Sequence, residues 1–316
     1  MAKLTILSGE PHSGKTEALY ARLQQQIERG KRVVLLVPEQ ATYRAESALC
    51  ARLGGLLGVD VYSLDRLSER LISEYGQALP YLDDRGRCMV LRRAAFLGRD
   101  RLQLFSRAAE HRGFAAAMDA RIGRFKQSCI LPEDLDNAAK KLPEHDLLRQ
   151  KLEDFSLLYR ESESFLADRY LTANDLLTVA TTLVEGSWLH GCAVFVDDFD
   201  RPREQALRLL IRILQAADSV TITLRDSADP NLSSLYAPDR KLHDRLRDAC
   251  ETLGIPFSKQ QMERSSGGDP ALDHLKNNLF SDAPSPYPME TDAIAILAAK
   301  DRAPKLPFWR TAFWNL

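Results

Sequence analysis

Apolar residues follow two patterns along the chain: short runs, and longer stretches in which they recur every three or four positions. The run VVLLV at 33–37 is unbroken and rich in β-branched residues, which predicts a strand buried on both faces of a parallel sheet. After the first run, Ala18, Leu19, Leu23 and Ile27 keep helical spacing, and Gly30 ends that helix. The predicted strands are LTIL at 4–7, VVLLV at 33–37, VDVYS at 59–63, CAVFVDD at 192–198 and SVTITL at 219–224.

The stretch from Leu82 to Glu185 has helical spacing almost throughout, and no strand pattern interrupts it. A sheet that stops, gives way to about 100 helical residues and then resumes implies one α/β core with an inserted helical part. The predicted organisation is a split core at 1–82 and 186–260, a helical insertion at 83–185, a Ser-, Gly-, Asp- and Pro-rich linker at 261–291, and a last segment at 292–316.

The last segment begins with AIAILAA at 293–299, which predicts the first strand of a truncated second domain. An apolar tail, PKLPFWRTAFWNL at 304–316, follows without helical or alternating period. We expect truncation or a shifted reading frame near Ala303. An amphipathic tail that docks on a partner is the alternative.

Composition excludes several classes of protein. The 316 residues are 45% apolar and 28% charged, which is typical of a soluble globular protein with about two domains' length of chain. No run of about 18 uncharged apolar residues predicts a membrane span, and no signal-type segment opens the chain, so we expect a cytoplasmic protein without membrane contact. The five cysteines are far apart in sequence and predict buried free thiols.

The charge is distributed unevenly. Taken alone, the net charge of -1 argues against nucleic acid, but residues 85–127 hold eleven Lys and Arg against three Asp and Glu, a net charge of +8 that leaves -9 for the remainder. A patch this one-sided suits binding to a phosphate backbone. A solvated, arginine-rich helical face is the alternative.

Residues 9–16 have the sequence GEPHSGKT and form a complete P-loop pattern between a predicted strand and a predicted helix. Gly9 and Gly14 allow the backbone to curl. The N–H groups of the loop, including that of Ser13, then surround a phosphate at the helix N-terminus. Lys15 is expected to reach the β and γ phosphates, and the Thr16 hydroxyl is expected to ligate Mg²⁺.

A P-loop protein also needs an acidic residue at the end of a second buried strand to hold Mg²⁺ through water, and Asp197 meets that requirement. In ATPases that hydrolyse fast, the next residue is usually a Glu that serves as base for the attacking water. Here it is Asp198, one methylene shorter. Because a shift of about 1 Å can cost on the order of 10²-fold in rate, we expect Asp198 to be a weak catalytic residue or a plain turn residue.

The P-loop is followed in order by five further informative segments: VVLLVPEQATYRAE at 33–46, VYSLDRLSERLISEYG at 61–76, LDDRGRCMVLRRA at 82–94, YLTANDLL at 170–177 and VFVDDFDRPREQ at 194–205. Together they resemble the N-terminal part of the AddB family, the B subunits of the bacterial ATP-dependent helicase/deoxyribonucleases, itself related to the UvrD-like superfamily I helicases. The resemblance covers about residues 3–302, and VPEQ beside an intact P-loop is its most specific feature.

The resemblance implies a RecA-like, superfamily I helicase-type P-loop NTPase, with a parallel-sheet α/β core and a large all-helical insertion. It also implies an ATP- and DNA-binding part of a helicase-nuclease that processes double-strand DNA ends for recombinational repair, in a heterodimer with the A subunit of that enzyme. Single-stranded DNA or a duplex end would contact Gln40 of the VPEQ segment and, in the insertion, Arg92, Arg93, Arg121 and Arg124.

The family's full-length protein continues into a second RecA-like domain, which in helicases supplies arginine fingers, and a nuclease domain with an iron-sulfur cluster held by four cysteines. Those cysteine motifs do not occur here. We therefore expect ATP and Mg²⁺ as cofactors but little turnover from this chain alone. Two alternatives stay open: a stand-alone P-loop NTPase or kinase with a helical lid, and a nucleotide-stabilised scaffold that binds another protein of the complex.

Overall fold

The computed structural model describes residues 2–199, 201–227, 235–263, 269–279 and 283–295, and these residues include a six-stranded parallel sheet. Across the sheet the order is β3, β2, β4, β5, β1, β6, and all paired strands are parallel. The strands are β1 (Leu4–Gly9), β2 (Val33–Leu36), β3 (Val59–Tyr62), β4 (Ala193–Val196), β5 (Ser219–Arg225) and β6 (Phe257–Gln261).

Eleven α-helices accompany the sheet among the described residues. Those that belong to the α/β part are α1 (Lys15–Glu28), α2 (Thr42–Leu53), α3 (Leu64–Tyr75), α9 (Glu204–Ala216) and α10 (Ala237–Leu253). The stretch between β3 and β4 adds α4 (Asp84–Leu97), α5 (Phe114–Gln127), α6 (Pro132–Ala139), α7 (Leu147–Leu166) and α8 (Leu176–Leu183), and α11 (Pro270–Asn278) follows β6.

Helices cover both faces of the sheet, which explains why β2 and β4 are unbroken apolar runs. On one face, Val34 and Val194 pack in a cluster with side chains of α3, α8, α9 and α10. On the other face, Leu35 and Phe195 pack with side chains of α1 and α2. All four residues of β2 are buried.

The predicted fold class is confirmed: an α/β parallel sheet with a large helical insertion. The five strands predicted for the α/β core are present. The sixth strand, β6, was not predicted, because its sequence FSKQQ is polar and four of its five residues are exposed. It lies at an edge of the sheet and pairs with β1 alone.

The helices α4 to α8 contain no strand between them, and most of them surround a separate apolar cluster that includes Leu91, Ile122, Phe155 and Leu158. The segment before α4 and the segment before α8 lie side by side. The Leu82 N–H donates to the Leu171 carbonyl at 2.8 Å, and the Leu171 N–H donates to the Pro80 carbonyl at 3.0 Å. The chain therefore leaves and re-enters the α/β part at one place.

The chain forms two compact units: Met1–Asp226 with Tyr236–Arg264, and Ser227–Leu235 with Ser265–Leu316. The helical part lies within the first unit, and the predicted boundaries at 82, 185 and 260 stay predictions. The range predicted as a linker, 261–291, contains α11. Of the last predicted strand, 293–295 carry no strand, while 296–299 and the tail lie outside the described residues.

The expectation for the cysteines has a mixed outcome. The five cysteines are free, but only Cys192 and Cys250 are buried, and Cys50 is exposed, so the expectation of buried thiols was wrong for that residue. In the described part of the chain, no helix is both long enough and apolar enough to cross a bilayer.

The loop between α4 and α5 is anchored by the carboxylate of Asp154 on α7, which is 1% exposed. Its Oδ1 accepts a hydrogen bond from the Gln103 N–H at 2.9 Å, and its Oδ2 accepts from the Leu104 and Phe105 N–H groups at 2.8 Å each. Three backbone donors thus depend on one buried side chain.

Replacement of Asp154 by Ala should lower the free energy of unfolding by about 3 kcal/mol, because it leaves these donors without an acceptor. Urea denaturation followed by circular dichroism measures the change. Ser164→Ala, on the exposed surface of the same helix, should stay within about 0.5 kcal/mol of the parent. An unchanged midpoint for Asp154→Ala would show that other contacts hold the loop.

Candidate functional site

The P-loop connects β1 to α1 at the carboxyl end of the sheet, and two glycines determine its path. Gly14 caps α1 with φ +77°, a left-handed conformation that glycine adopts without strain. A Cβ atom on Gly9 would lie 2.6 Å from both the Met262 carbonyl oxygen and the Ser13 hydroxyl. The loop therefore requires glycine at position 9 because of a close approach.

The Lys15 ammonium lies over this loop. Its Nζ donates to the carbonyl oxygens of Gly9 at 2.9 Å and Glu10 at 2.5 Å, and to the Ser13 hydroxyl at 3.3 Å. Burial lowers the pKa of Lys15 from its ordinary value; Asp197 opposes that shift and Arg225 adds to it. An anion beside Lys15 would favour its charged form and so oppose the effect of burial.

Asp197 follows β4 and is 7% exposed. Its Oδ2 accepts a hydrogen bond from the Thr16 hydroxyl at 3.0 Å, and its Oδ1 accepts from the Thr223 hydroxyl at 2.6 Å. The two residues predicted to serve Mg²⁺, Thr16 and Asp197, are thus in direct contact.

Asp198, the predicted catalytic residue, has φ +59° and an exposed side chain. Aspartate tolerates this left-handed conformation better than most residues. Its N–H donates to the Thr223 hydroxyl at 3.3 Å, so Thr223 contacts both aspartates. The side chain lines the same cavity as Lys15, and its catalytic role stays a prediction.

A cavity of about 490 Å³ opens over the P-loop and is lined by Lys15, Thr16, Asp197 and Asp198. It also contains side chains that sequence reasoning missed: Arg44, Thr223, Arg225 and Asp239. Register explains two of them, because Thr223 lies opposite Leu7, and Arg225 lies opposite Gly9. The sequence signal that could have indicated both is the presence of polar residues at the end of the strand SVTITLR.

Nucleotide and Mg²⁺ fit these residues. Neighbouring atoms leave no room for a Cβ atom at Gly9, so the loop presents only backbone at this position, as a phosphate-binding loop requires. A threonine hydroxyl and a carboxylate are the oxygen donors that Mg²⁺ prefers. Among the described residues no group of three or more His, Cys, Asp or Glu is placed to hold a metal. Further ligands would therefore have to come from phosphate and water.

The residues predicted to contact DNA lie outside this cavity. Arg92 and Arg93 are exposed on α4, and Arg121 and Arg124 are exposed on α5. None of the four forms an ion pair with another described residue. Gln40 is exposed in the short 3₁₀ turn Glu39–Ala41 that follows β2.

The eleven cations of residues 85–127 are not equally available to a ligand. Arg87 and Lys126 are largely buried, and Lys126 is only 8% exposed. Among the described residues, four of the eleven form ion pairs with carboxylates. Arg87 pairs with Asp119 at 2.9 Å and Asp84 at 3.0 Å, and Lys126 pairs with Asp175 at 2.6 Å and Glu163 at 2.7 Å. Arg99 pairs with Glu110 at 2.5 Å, and Arg101 pairs with Glu161 at 2.8 Å.

Two segments that are distant in sequence, 170–177 and 194–205, meet through Gln205 at the start of α9. Its Nε2 donates to the Asn174 carbonyl at 2.9 Å and to the Thr178 hydroxyl at 2.8 Å. The neighbouring Asp175 accepts from Lys126 of α5 at 2.6 Å. Polar contacts therefore link the strand-end loop that carries Asp197 to the helix that carries Arg121 and Arg124.

Comparison with known proteins shows similarity to one family of proteins. The family described as "ADDB, N-terminal" matches residues 6–276. Three curated relatives are each named as the B subunit of an ATP-dependent helicase/deoxyribonuclease: that of Pelotomaculum thermopropionicum is 32% identical over 94% of this chain, that of Desulforudis audaxviator 31% over 95%, and that of Bacillus subtilis 27% over 95%. The chain spans 27% of the length of each of these relatives.

Among solved structures, VirB4 of Thermoanaerobacter pseudethanolicus aligns with 88% of this chain and 80% of its own, at 14% identity and a TM-score of 0.32. A similarity this distant supports no further structural inference.

Lys15→Ala should abolish binding of MgATP in isothermal titration calorimetry, because it removes the charge that faces the phosphates. Lys31→Ala is the matched control, since Lys31 pairs with Asp218 at the opposite ends of the strands and should leave binding unchanged. If MgATP binds Lys15→Ala as it binds the parent, the nucleotide site lies elsewhere.

Proposed function

Because the chain belongs to the family of AddB N-terminal domains, we propose that it is the ATP- and DNA-binding N-terminal part of the B subunit of a bacterial ATP-dependent helicase-nuclease. In that role it serves the processing of double-strand DNA ends for recombinational repair in the cytoplasm. The names of the relatives support helicase and deoxyribonuclease activity in the whole protein. Those names also describe one subunit of an enzyme, which supports a partner, here the A subunit in a heterodimer.

The observation that carries the nucleotide part of this proposal is the contact of Thr16 with Asp197 directly beside the P-loop. In the proposed site, the loop N–H groups and Lys15 hold the phosphates. Thr16 binds Mg²⁺ directly, Asp197 holds it through water, and Thr223 keeps the Asp197 carboxylate in orientation. The metal, when bound, neutralises charge on the phosphate oxygens.

The same site is proposed to bind ATP but to hydrolyse it slowly. Asp198 occupies the position at which fast ATPases carry a Glu, and its shorter side chain places the carboxylate farther from an attacking water. Arginines that a second motor domain supplies to the γ phosphate contribute about 10³ to 10⁵ in rate at related sites. The chain spans 27% of its relatives' length, so we assign such groups to the remainder of those proteins.

DNA binding is proposed for the exposed surface of the helical part. The four arginines at 92, 93, 121 and 124 support it, because each is exposed and lacks an ion-pair partner among the described residues. Guanidinium groups that carboxylates already hold contribute less to a phosphate contact, because that contact has to replace an existing one. Gln40 is proposed to contact the same strand from the loop after β2.

The purified chain should turn over MgATP on the order of 10⁻² s⁻¹ or more slowly, with or without single-stranded DNA, because the shorter Asp198 stands where fast ATPases carry a Glu. Phosphate release measures the rate, and Lys15→Ala reports any contaminating ATPase. A rate of several per second that DNA stimulates and that Lys15→Ala abolishes would contradict the assignment of Asp198 as a weak base.

Single-stranded DNA should bind with an affinity that falls steeply between about 50 and 200 mM salt, as phosphate contacts require. A variant with Ala at 92, 93, 121 and 124 should have a flatter dependence, by about 0.7 in the logarithmic slope for each phosphate that the variant no longer neutralises. Fluorescence anisotropy with a labelled oligonucleotide measures both quantities.

The matched control removes the same positive charge from arginines that carboxylates already hold. It replaces Arg99, Arg101, Arg160 and Arg212 by Ala; these lie 2.5, 2.8, 2.6 and 2.6 Å from their carboxylate partners. Its slope should stay near that of the parent. Equal slopes for the parent and the first variant would show that those four arginines do not form the DNA-binding surface.

A further inference from the structure

One face of α4 is exposed along its length and combines arginines with large apolar side chains. The residues on this face, spaced i, i+4, i+7, i+8 and i+11, are called the α4 stripe: Arg85, Met89, Arg92, Arg93 and Phe96. At 1.5 Å per residue the stripe is about 16 Å long. Met89 is 70% exposed and Phe96 is 77% exposed.

The charge of the α4 stripe is not compensated within the described part of the chain. None of its three arginines pairs with a carboxylate there, and no acidic residue stands among its five positions. Nearby arginines behave differently, since Arg99 pairs with Glu110 and Arg101 pairs with Glu161. Three unpaired guanidinium groups in one row favour a polyanion.

The stripe continues beyond α4 through an arginine-aromatic stack. The Arg93 guanidinium lies 5.0 Å from the centroid of the Phe165 ring, and the Arg169 guanidinium lies 5.3 Å from the same centroid. Tyr170 stacks on Phe165 at 6.4 Å, with 17° between the ring planes. These contacts restrict Arg93 and add a fourth exposed cation, Arg169, to the surface.

The exposed Phe96 and Met89 indicate which polyanion fits. In duplex DNA the base faces are stacked against one another, so a protein reaches phosphates, sugars and the edges of bases. In a single strand the base faces are accessible and stack on aromatic side chains that stand among cationic groups. A ring that is 77% exposed one helical turn from Arg92 and Arg93 matches the second case.

We infer that the α4 stripe binds single-stranded DNA, with phosphates at its arginines and a base stacked on Phe96. The inference rests on the proposed DNA-binding function and specifies both the form of the DNA and the side chain that contacts a base. A protein partner with an acidic face is the alternative occupant, and the experiment below separates the two.

The test compares two fluorescein-labelled probes of about 20 residues: oligothymidine, and the same sugar-phosphate backbone with abasic sites in place of the bases. Phe96→Ala should weaken binding of oligothymidine at least about fivefold, because it removes one stacking interaction. It should not change binding of the abasic probe, nor the salt slope, since stacking releases no counterions. Arg92→Ala should weaken binding of both probes and reduce the slope by about 0.7.

Three further variants test whether the aromatic ring at position 96, and not any exposed apolar side chain, is responsible for the effect. Phe96→Leu retains an apolar side chain without a ring and should behave as Phe96→Ala does. Phe96→Trp should keep the affinity, and its fluorescence should be quenched by oligothymidine but not by the abasic probe. Leu147→Ala removes an exposed apolar residue of α7, 66% exposed, and should bind as the parent does.

Two outcomes would overturn the inference while the proposed function stands: equal affinity of the parent and Phe96→Ala for oligothymidine, or an equal loss of affinity for both probes. The first of these, with the arginine variants still weakened, would assign the apolar residues of the stripe to a protein partner. Failure of the parent chain to bind either probe would instead contradict the proposed DNA-binding function itself.

Discussion

The Asp197 carboxylate is the point at which the sheet and the P-loop are joined. One of its oxygens accepts a hydrogen bond from Thr16 at the start of α1, and the other accepts from Thr223 near the end of β5. Both contacts depend on parallel strands whose carboxyl ends reach the same edge, with Leu7 of β1 opposite Thr223. A slip of one residue would turn Thr223 to the other face of the sheet and leave one carboxylate oxygen without its donor.

The same edge holds the helical part in place. Gln205 is 6% exposed and starts the helix that follows the two aspartates; through Asn174 and Thr178 it contacts the segment that returns from the helical part. Lys126 extends these contacts to α5, and its two carboxylate partners raise its pKa against the effect of burial. A buried ammonium with two carboxylates is costly to separate, because either side alone would be left charged and unpaired. A continuous set of polar contacts therefore connects α5 to the start of α9.

Much of this architecture could be predicted from the sequence, because burial on both sides of a parallel sheet requires apolar runs, and a phosphate-binding turn requires glycines at fixed spacing. The strand β6 could not, since its polar residues satisfy no burial pattern and it forms by pairing with β1. Thr223 and Arg225 were missed for a related reason: their place in the site follows from register between strands more than 200 positions apart, which local periodicity does not encode.

The charge available to a ligand was the property that could be predicted least completely from the sequence. A sum over residues 85–127 counts every cation equally, whereas the structure divides them into those that carboxylates already hold and those that face solvent. Lys126 contributes to the sum yet is buried and bound by Asp175 and Glu163, so it has little surface to offer a ligand. Arg92 contributes the same formal charge and keeps its donors available. Affinity for a polyanion follows the second group, because a phosphate gains most from a cation whose hydrogen bonds are not already made.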